Sequence, residues 1–425
     1  MPAVKPQARA AYLEARASEA YGAYYKIHWP GEEAHAARGL RRSPFHAALV
    51  GAGAVFGSRF GWERPNWFSS SNAEASETPS FEGKPGWFGA VAAEAAAIRQ
   101  GVALIDQTSF SKFEISGAGA GAALNRIAAG QLEGPPGRVI YTQMLNSRGG
   151  IEADVTFLHV APERYLMITG SGFGIRDGGW LAAQLPGTVQ LREVTNAYAT
   201  LNLCGPCARD VLARVTDAGL SSAAFPFLAL REIEIGMAPA IAARVGYVGE
   251  LGWELYIPVD YAAYVFERLT EAGGDLGLRH AGYRAIESCR LEKGYLYWSS
   301  DISPDTNALE AGLSFAIAWD KGDFTGRAAL EKLREAGPRK KLVTLSVPGF
   351  APFLGGETVL HEGQPVASLT SAGYGHHLGR SIGFAYLPIA IAEARHFTVE
   401  AFGHSHAAER GPRCLYDPRM ERLKS

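Results

Sequence analysis

Residues 141–156 read YTQMLNSRGGIEADVT. Two strand-like runs, 138–145 and 151–159, flank Asn146-Ser-Arg-Gly-Gly150, a short connection made of turn-forming residues. That pattern predicts an antiparallel hairpin. Side chains alternate across a strand, so Glu152, Asp154 and Thr156 share one face, and Ile151, Ala153 and Val155 take the other. Working outward, strand patterns recur at 110–115, 164–169, 188–193 and 198–204, with a strand pair within 229–258. Helical patterns fall at 88–100, 120–129, 173–183, 206–217, 259–272 and 280–292. Hairpins interleaved with helices predict an α+β fold, not the strict alternation of a parallel dinucleotide-binding sheet. Beyond Pro338 and Arg339-Lys-Lys341, short strands at regular spacing (LVTLSV, GETVLH, PVASLTSAG, SIGFAYL, HFTVEAF) predict a small C-terminal β-barrel or sandwich.

The chain has 425 residues, 47% of them hydrophobic and 20% charged, enough apolar material for more than one core. Lys plus Arg number 41 and Asp plus Glu 43, a net charge of −2. That balance argues against nucleic acid as a ligand, because phosphate neutralisation needs a basic excess. No apolar run is long enough for a membrane span. The N-terminal stretch lacks the apolar centre of a signal peptide. Four cysteines are too few for a disulfide scaffold, and a cytoplasmic location is expected. Residues 1–68 concentrate aromatic side chains: Tyr21, Tyr24, Tyr25, Trp29, Phe45, Phe56, Phe60, Trp62, Trp67 and Phe68. So short a segment has little core of its own, and its aromatic surface calls for a larger body to pack against. The polar stretch 69–80 reads as a linker. The expected division is a connector with its linker over 1–80, an α+β region over 81–337 and a barrel over 338–425.

Several motifs point to chemistry their context does not support. Gly51-Ala-Gly-Ala-Val-Phe-Gly57 resembles a phosphate loop, but no strand of normal length precedes it and Gly61-Trp-Glu-Arg-Pro65 breaks any following helix. Gly117-Ala-Gly-Ala-Gly121 reads as a loop entering a helix. Cys204-Gly-Pro-Cys207 has redox spacing, but Gly-Pro suits a strand-to-helix turn and no thioredoxin-like unit surrounds it. His404-Ser-His406 and His376-His377 lack the companion ligands of a metal site.

A second acid-bearing segment is RVGYVGELGWELYIP, residues 244–258. Glu254 stands between Trp253 and Leu255 in an otherwise apolar strand. A carboxylate there is either paired or functional. The structural alternative is an ion pair, for instance with Arg290.

These segments resemble the folate-dependent aminomethyltransferases, the glycine cleavage T-protein and its relatives. The resemblance rests on LNSRGGIEADVT (145–156), GYVGELGWELYIP (246–258), RLEKG (290–294), DFTGRAAL (323–330) and SAGYGHHLGRSIGFAYL (371–387). It covers about residues 81–422 and implies T-protein-like folate-binding domains with a small C-terminal β-barrel. YKIHWP (25–30), SPFHAALVGAGAVFGSRFGWERPNWF (43–68), RLEKGYLYW (290–298) and TNALEAGLSFAI (306–317) further resemble the C-terminal half of dimethylglycine and sarcosine dehydrogenases. In those enzymes an FAD domain oxidises an N-methyl amine, and the C-terminal half passes the one-carbon unit to tetrahydrofolate.

The resemblance implies Asp154 as the catalytic aspartate, with Tyr141, Thr156 and Gly170 lining the folate site and Glu254 gripping the pterin. Tyr247 and Arg290 are expected in the same pocket. A pterin edge presents adjacent N–H donors that one carboxylate accepts in parallel. The sequence departs from the family at Ala153, where an acid pair would have its first member, and at Ile286, where a folate-holding arginine falls; Arg284 or Arg290 is the substitute. The implied activity is tetrahydrofolate-dependent one-carbon transfer from an N-methylated amine or its iminium product. The implied partner is a separate FAD-containing dehydrogenase subunit, with no FAD bound by this chain alone. The alternatives are a free-standing demethylase making 5-methyltetrahydrofolate and a non-catalytic folate-binding assembly subunit.

Overall fold

A computed structural model describes residues 6–27, 31–70 and 83–425. Trp29 and residues 71–80 of the expected linker lie outside the described residues. The central hairpin forms as the sequence indicates, from Arg138–Leu145 and Ile151–Ala161. Its connection is held by Asn146, whose side-chain oxygen accepts from the amides of Arg148 and Gly150 at 3.0 and 2.9 Å. Gly149 has φ +83°, and a Cβ on Gly150 would sit 1.9 Å from the Pro304 carbonyl oxygen, so both glycines are required.

This hairpin is one edge of a five-stranded antiparallel sheet. Arg164–Thr169, Ser111–Ser116 and Gln190–Glu193 follow it in spatial order. A second, six-stranded sheet runs Leu230–Ile235, Ala238–Ala243, Gly252–Pro258, Tyr198–Cys204, Ala103–Asp106 and Arg279–His280. Its last pair is parallel and the rest antiparallel. The expected strand pair in 229–258 is thus three strands, because Gly236 (φ +58°) and Met237 make a tight turn between Ile235 and Ala238. The helix expected over 206–217 is shorter, Ala208–Ala213. Six strands from Lys340–Pro348 to His404–Gly411 close into the C-terminal barrel.

Alternation decides what the two sheets bury. In the first sheet, Phe113, Ala153, Val155, Phe157 and Met167 pack against the helices Ala120–Ile127 and Gly174–Ala182. The opposite face carries Val139, Leu158, Leu166 and Ile168, which meet Ile241, Ala243 and Tyr256 of the second sheet. Each such buried side chain stabilises the sandwich by roughly 1.5–3 kcal/mol. The far face of the second sheet, with Leu201, Leu203, Trp253 and Leu255, is covered by Ala262–Gly273.

The aromatic segment behaves as two parts. Phe45 and Leu49 enter the core of the second sheet, Trp67 joins the cluster of Ile98, Ile105 and Ile286, and all three are at most 5% exposed. Residues 43–68, expected to belong to the connector, therefore fold with the body; their apolar side chains are its core. They end in a hairpin of Ala54–Arg59 and Trp62–Phe68. The helix Pro6–Ala23 lies outside these cores, and Tyr21, Tyr24, Tyr25 and Ile27 beyond its middle are 74–89% exposed.

The C-terminal tail returns from the barrel to the body. Arg413 donates to the carbonyls of Ala311 and Gly312, Tyr416 bonds Glu250, and Lys293 Nζ lies 2.9 Å from Asp417. Leu423 is buried.

Candidate active site

Four residues singled out from the sequence, Tyr141, Asp154, Thr156 and Glu254, fall on the facing surfaces of the two sheets. Gln143 pairs with Asp154 and Tyr141 with Thr156 across the hairpin, so all four share the face of Leu158 that looks toward the second sheet. Glu254 pairs with Asn202, which places those two side chains on one face as well; Thr200 and Tyr256 lie two residues further along the same face.

Asp154 sits half-buried at the end of this layer. Its Oδ1 accepts from Gln143 Nε2 at 2.9 Å, and the Tyr141 hydroxyl bonds it as well. Burial pushes its carboxyl up to about 6; the two hydrogen bonds pull the other way, and the charge of Asp177 adds to the rise. Burial also holds the Tyr141 and Tyr247 phenols well above their usual range, with Asp154 among the charges that raise both. An acid poised near neutrality and bonded by a protonated phenol can take or give a proton at working pH.

Glu254 belongs to a second cluster. Its Oε2 accepts from the Tyr256 hydroxyl at 2.6 Å, and burial raises its carboxyl despite that bond and the nearby Lys112 ammonium. Lys112, from the strand Ser111–Ser116, is fully buried and donates to the carbonyls of Thr108 and Phe110 at 3.0 Å. Burial lowers its ammonium to about 7, opposed by Asp106 and Glu254. Asp106 in turn accepts from the Ser43 hydroxyl at 2.5 Å, so the body-facing part of the aromatic segment reaches into this cluster.

Two buried amide oxygens on these faces, Gln143 Oε1 and Asn202 Oδ1, have no partner among the described residues. Buried acceptors without donors are costly and are normally satisfied by something. Their presence beside Asp154 and Glu254 fits a ligand rich in N–H donors.

Not every expected residue points into this layer. Arg290 is committed elsewhere: its guanidinium donates to Asp301 and the Tyr295 carbonyl at 3.1 and 3.0 Å and pairs with Glu287. It is not the ion-pair partner of Glu254, because Asp301 is a buried carboxylate that requires a cation. Tyr247 turns its hydroxyl to the Leu296 carbonyl at 2.5 Å and stacks on Tyr295. Gly170 begins the loop after Arg164–Thr169, and a Cβ there would meet the Phe173 ring at 2.7 Å. Sequence reasoning missed Gln143, Lys112, Asn202 and Tyr256. Gln143 and Tyr256 had a usable signal, since strand alternation places each on the face of a residue already singled out. Cys204 and Cys207 are free, and burial holds the Cys204 thiol well above its usual range, which disfavours a thiolate. Among the described residues no group of three or more His, Cys, Asp or Glu is placed to hold a metal.

Two facing, mainly antiparallel sheets thus carry these acids at their common layer, and a closed barrel follows them in the chain. Residues 45–321 match the GCVT N-terminal domain and 340–417 the glycine cleavage T-protein C-terminal barrel domain. The chain belongs to this T-protein family. Residues 5–43 match the FAD dependent oxidoreductase central domain. The chain is 38% identical over 416 residues to 4-methylaminobutanoate oxidase (formaldehyde-forming) of Paenarthrobacter nicotinovorans, covering 97% of this chain and 50% of that one. It is 34% identical to the mitochondrial dimethylglycine dehydrogenase of Rattus norvegicus over 97% of this chain and 49% of the relative. It thus spans about half the length of these curated relatives. The fold matches the crystal structure of aminomethyltransferase T from Bartonella henselae with a TM-score of 0.75 at 24% identity, over 89% of this chain and 99% of that one. No helix among the described residues is long and apolar enough to cross a membrane. The expected cytoplasmic location is not carried over by kinship, since the rat relative is a mitochondrial enzyme.

Proposed function

We propose that the chain transfers a one-carbon unit to tetrahydrofolate from an N-methylated amine or its iminium product. The observation that carries this reading is the inter-sheet layer. It holds two separately tuned carboxylates, Asp154 and Glu254, and beside them the buried oxygens of Gln143 and Asn202, which have no partner among the described residues. Tetrahydrofolate supplies the nucleophilic nitrogen that accepts the carbon. Glu254, held by Tyr256 and near Lys112, is the acceptor for the N–H edge of the pterin. Gln143 and Asn202 supply further acceptors. Asp154, its carboxyl near neutrality, holds or accepts the proton that the transfer releases, and Gln143 and Tyr141 fix its orientation. Calorimetry with tetrahydrofolate tests the reading: micromolar binding is expected, and no binding refutes it.

The donor arrives from a flavin-dependent amine dehydrogenase, to which this chain acts as the folate-binding part. Residues 5–43, similar to an FAD oxidoreductase central domain, and the exposed Tyr21, Tyr24, Tyr25 and Ile27 support that association. Purification from the native source is expected to bring a flavoprotein with it. A free-standing demethylase is the second reading, favoured by one fact: residues 43–68 are already covered by the body and need no partner.

A further inference from the structure

The turn of the hairpin in residues 54–68 is Phe60-Gly61, between the paired residues Arg59 and Trp62. Both turn residues have positive φ, +51° and +80°. A two-residue turn of this kind favours Asn, Asp or Gly at its first position, and a bulky aromatic residue there is an outlier. Phe60 is also 54% exposed, so burial does not explain its choice.

Its neighbour does. A Cβ on Gly172 would lie 2.2 Å from the Phe60 ring, so the ring rests directly on the backbone of the Gly170-Ser-Gly-Phe-Gly174 loop. That loop is tight throughout. A Cβ on Gly174 would meet Ser111 Oγ at 2.4 Å, and Ser171 Oγ donates to Ser109 Oγ at 2.9 Å. Phe173 packs edge-on against Trp298 at 4.7 Å, and Trp298 Nε1 donates to the carbonyl of Ile151 at 3.2 Å, at the start of the strand that carries Asp154. A continuous set of contacts therefore runs from the hairpin tip, through the loop, to the candidate active site.

We infer that Phe60 is a positioning residue. Its ring clamps the 170–174 loop from the outside, and the strained turn persists because a smaller residue could not hold that loop. Through this contact the segment next to the dehydrogenase-like N-terminal residues sets the shape of the folate site. The inference rests on the folate reading for its effect on binding, but not for the clamp itself.

The test uses the full chain and three variants, Phe60→Gly, Phe60→Tyr and Gly172→Ala. Phe60→Gly relieves the turn, so its melting temperature is expected to equal or exceed that of the wild type. Amide hydrogen exchange in residues 170–174 is nevertheless expected to quicken by about tenfold or more, and tetrahydrofolate affinity to fall by roughly fivefold, as a loosened loop requires. Phe60→Tyr keeps the ring and is expected to restore both. Gly172→Ala displaces the ring from the other side and is expected to quicken exchange as Phe60→Gly does. Unchanged exchange at 170–174 in Phe60→Gly and Gly172→Ala would overturn the clamp. Wild-type protein that fails to bind tetrahydrofolate would overturn the folate reading, while the exchange data still decide the clamp.

Discussion

Replacing Asp154 with asparagine should make the protein more stable and much less active. The carboxyl stands near 6 in the folded chain against an ordinary value of 3.8. At 1.36 kcal/mol per unit, keeping that group ionised costs the fold roughly 3 kcal/mol. The folded state binds the proton more tightly than the unfolded state, so the cost is largest above pH 6 and fades as pH falls toward 4. Asparagine has the same shape and no charge. Its oxygen still accepts from Gln143, and the Tyr141 hydroxyl can turn to accept from its amide. The variant should therefore gain about 1–3 kcal/mol at pH 8 and roughly half as much at pH 5. Paired denaturant melts of wild type and variant at the two pH values measure this. Turnover should fall by roughly 10²-fold, the usual scale for an acid–base group, and wild-type turnover should rise with pH through about 6. A variant with no stability gain, or with a gain independent of pH, would show that Asp154 is not held in the state inferred here. Wild-type turnover in the variant would remove it from the chemistry.

Glu254→Gln should weaken tetrahydrofolate binding about tenfold by calorimetry, since a charged hydrogen bond is worth roughly 1.5–3 kcal/mol; unchanged affinity would show that the pterin lies elsewhere. A Cys204→Ala, Cys207→Ser double variant should keep its folate-dependent activity, and loss of activity in a folded variant would restore the redox reading. Truncation should divide the aromatic segment. Removing residues 1–40 should abolish capture of a flavoprotein while sparing folate binding. Removing 1–68 should instead unfold the body, because deleting buried groups such as Phe45, Leu49 and Trp67 costs about 3 kcal/mol or more each.

The site hairpin and the barrel were legible because their strands alternate and turn residues punctuate them. Asp154, Thr156 and Glu254 could be assigned to strand faces from alternation alone. What alternation could not tell was which face met which, so the Lys112–Asp106–Glu254 cluster, built from two consecutive strands and a third far along the chain, stayed invisible. Arg290 misled for a related reason. Its helix was read correctly, but Asp301 lies in an irregular segment with no period to betray that a buried carboxylate waits there. The aromatic segment was misjudged by length. Residues 43–68 cannot form a core by themselves, yet they need not, because the second sheet and the helix Phe88–Gln100 leave places for Phe45, Leu49 and Trp67.

The tail beyond residue 411 has a mechanical consequence. The chain crosses from body to barrel near residue 338 and crosses back before Arg413, whose donors reach Ala311 and Gly312. A module tethered by a single crossing can pivot about it. Two crossings, with Lys293 on Asp417 and Asp301 gripped by Thr370 and Ser371 of the barrel, leave no free axis. The barrel is a buttress against which the site is built, and heat should melt barrel and body together in a single transition.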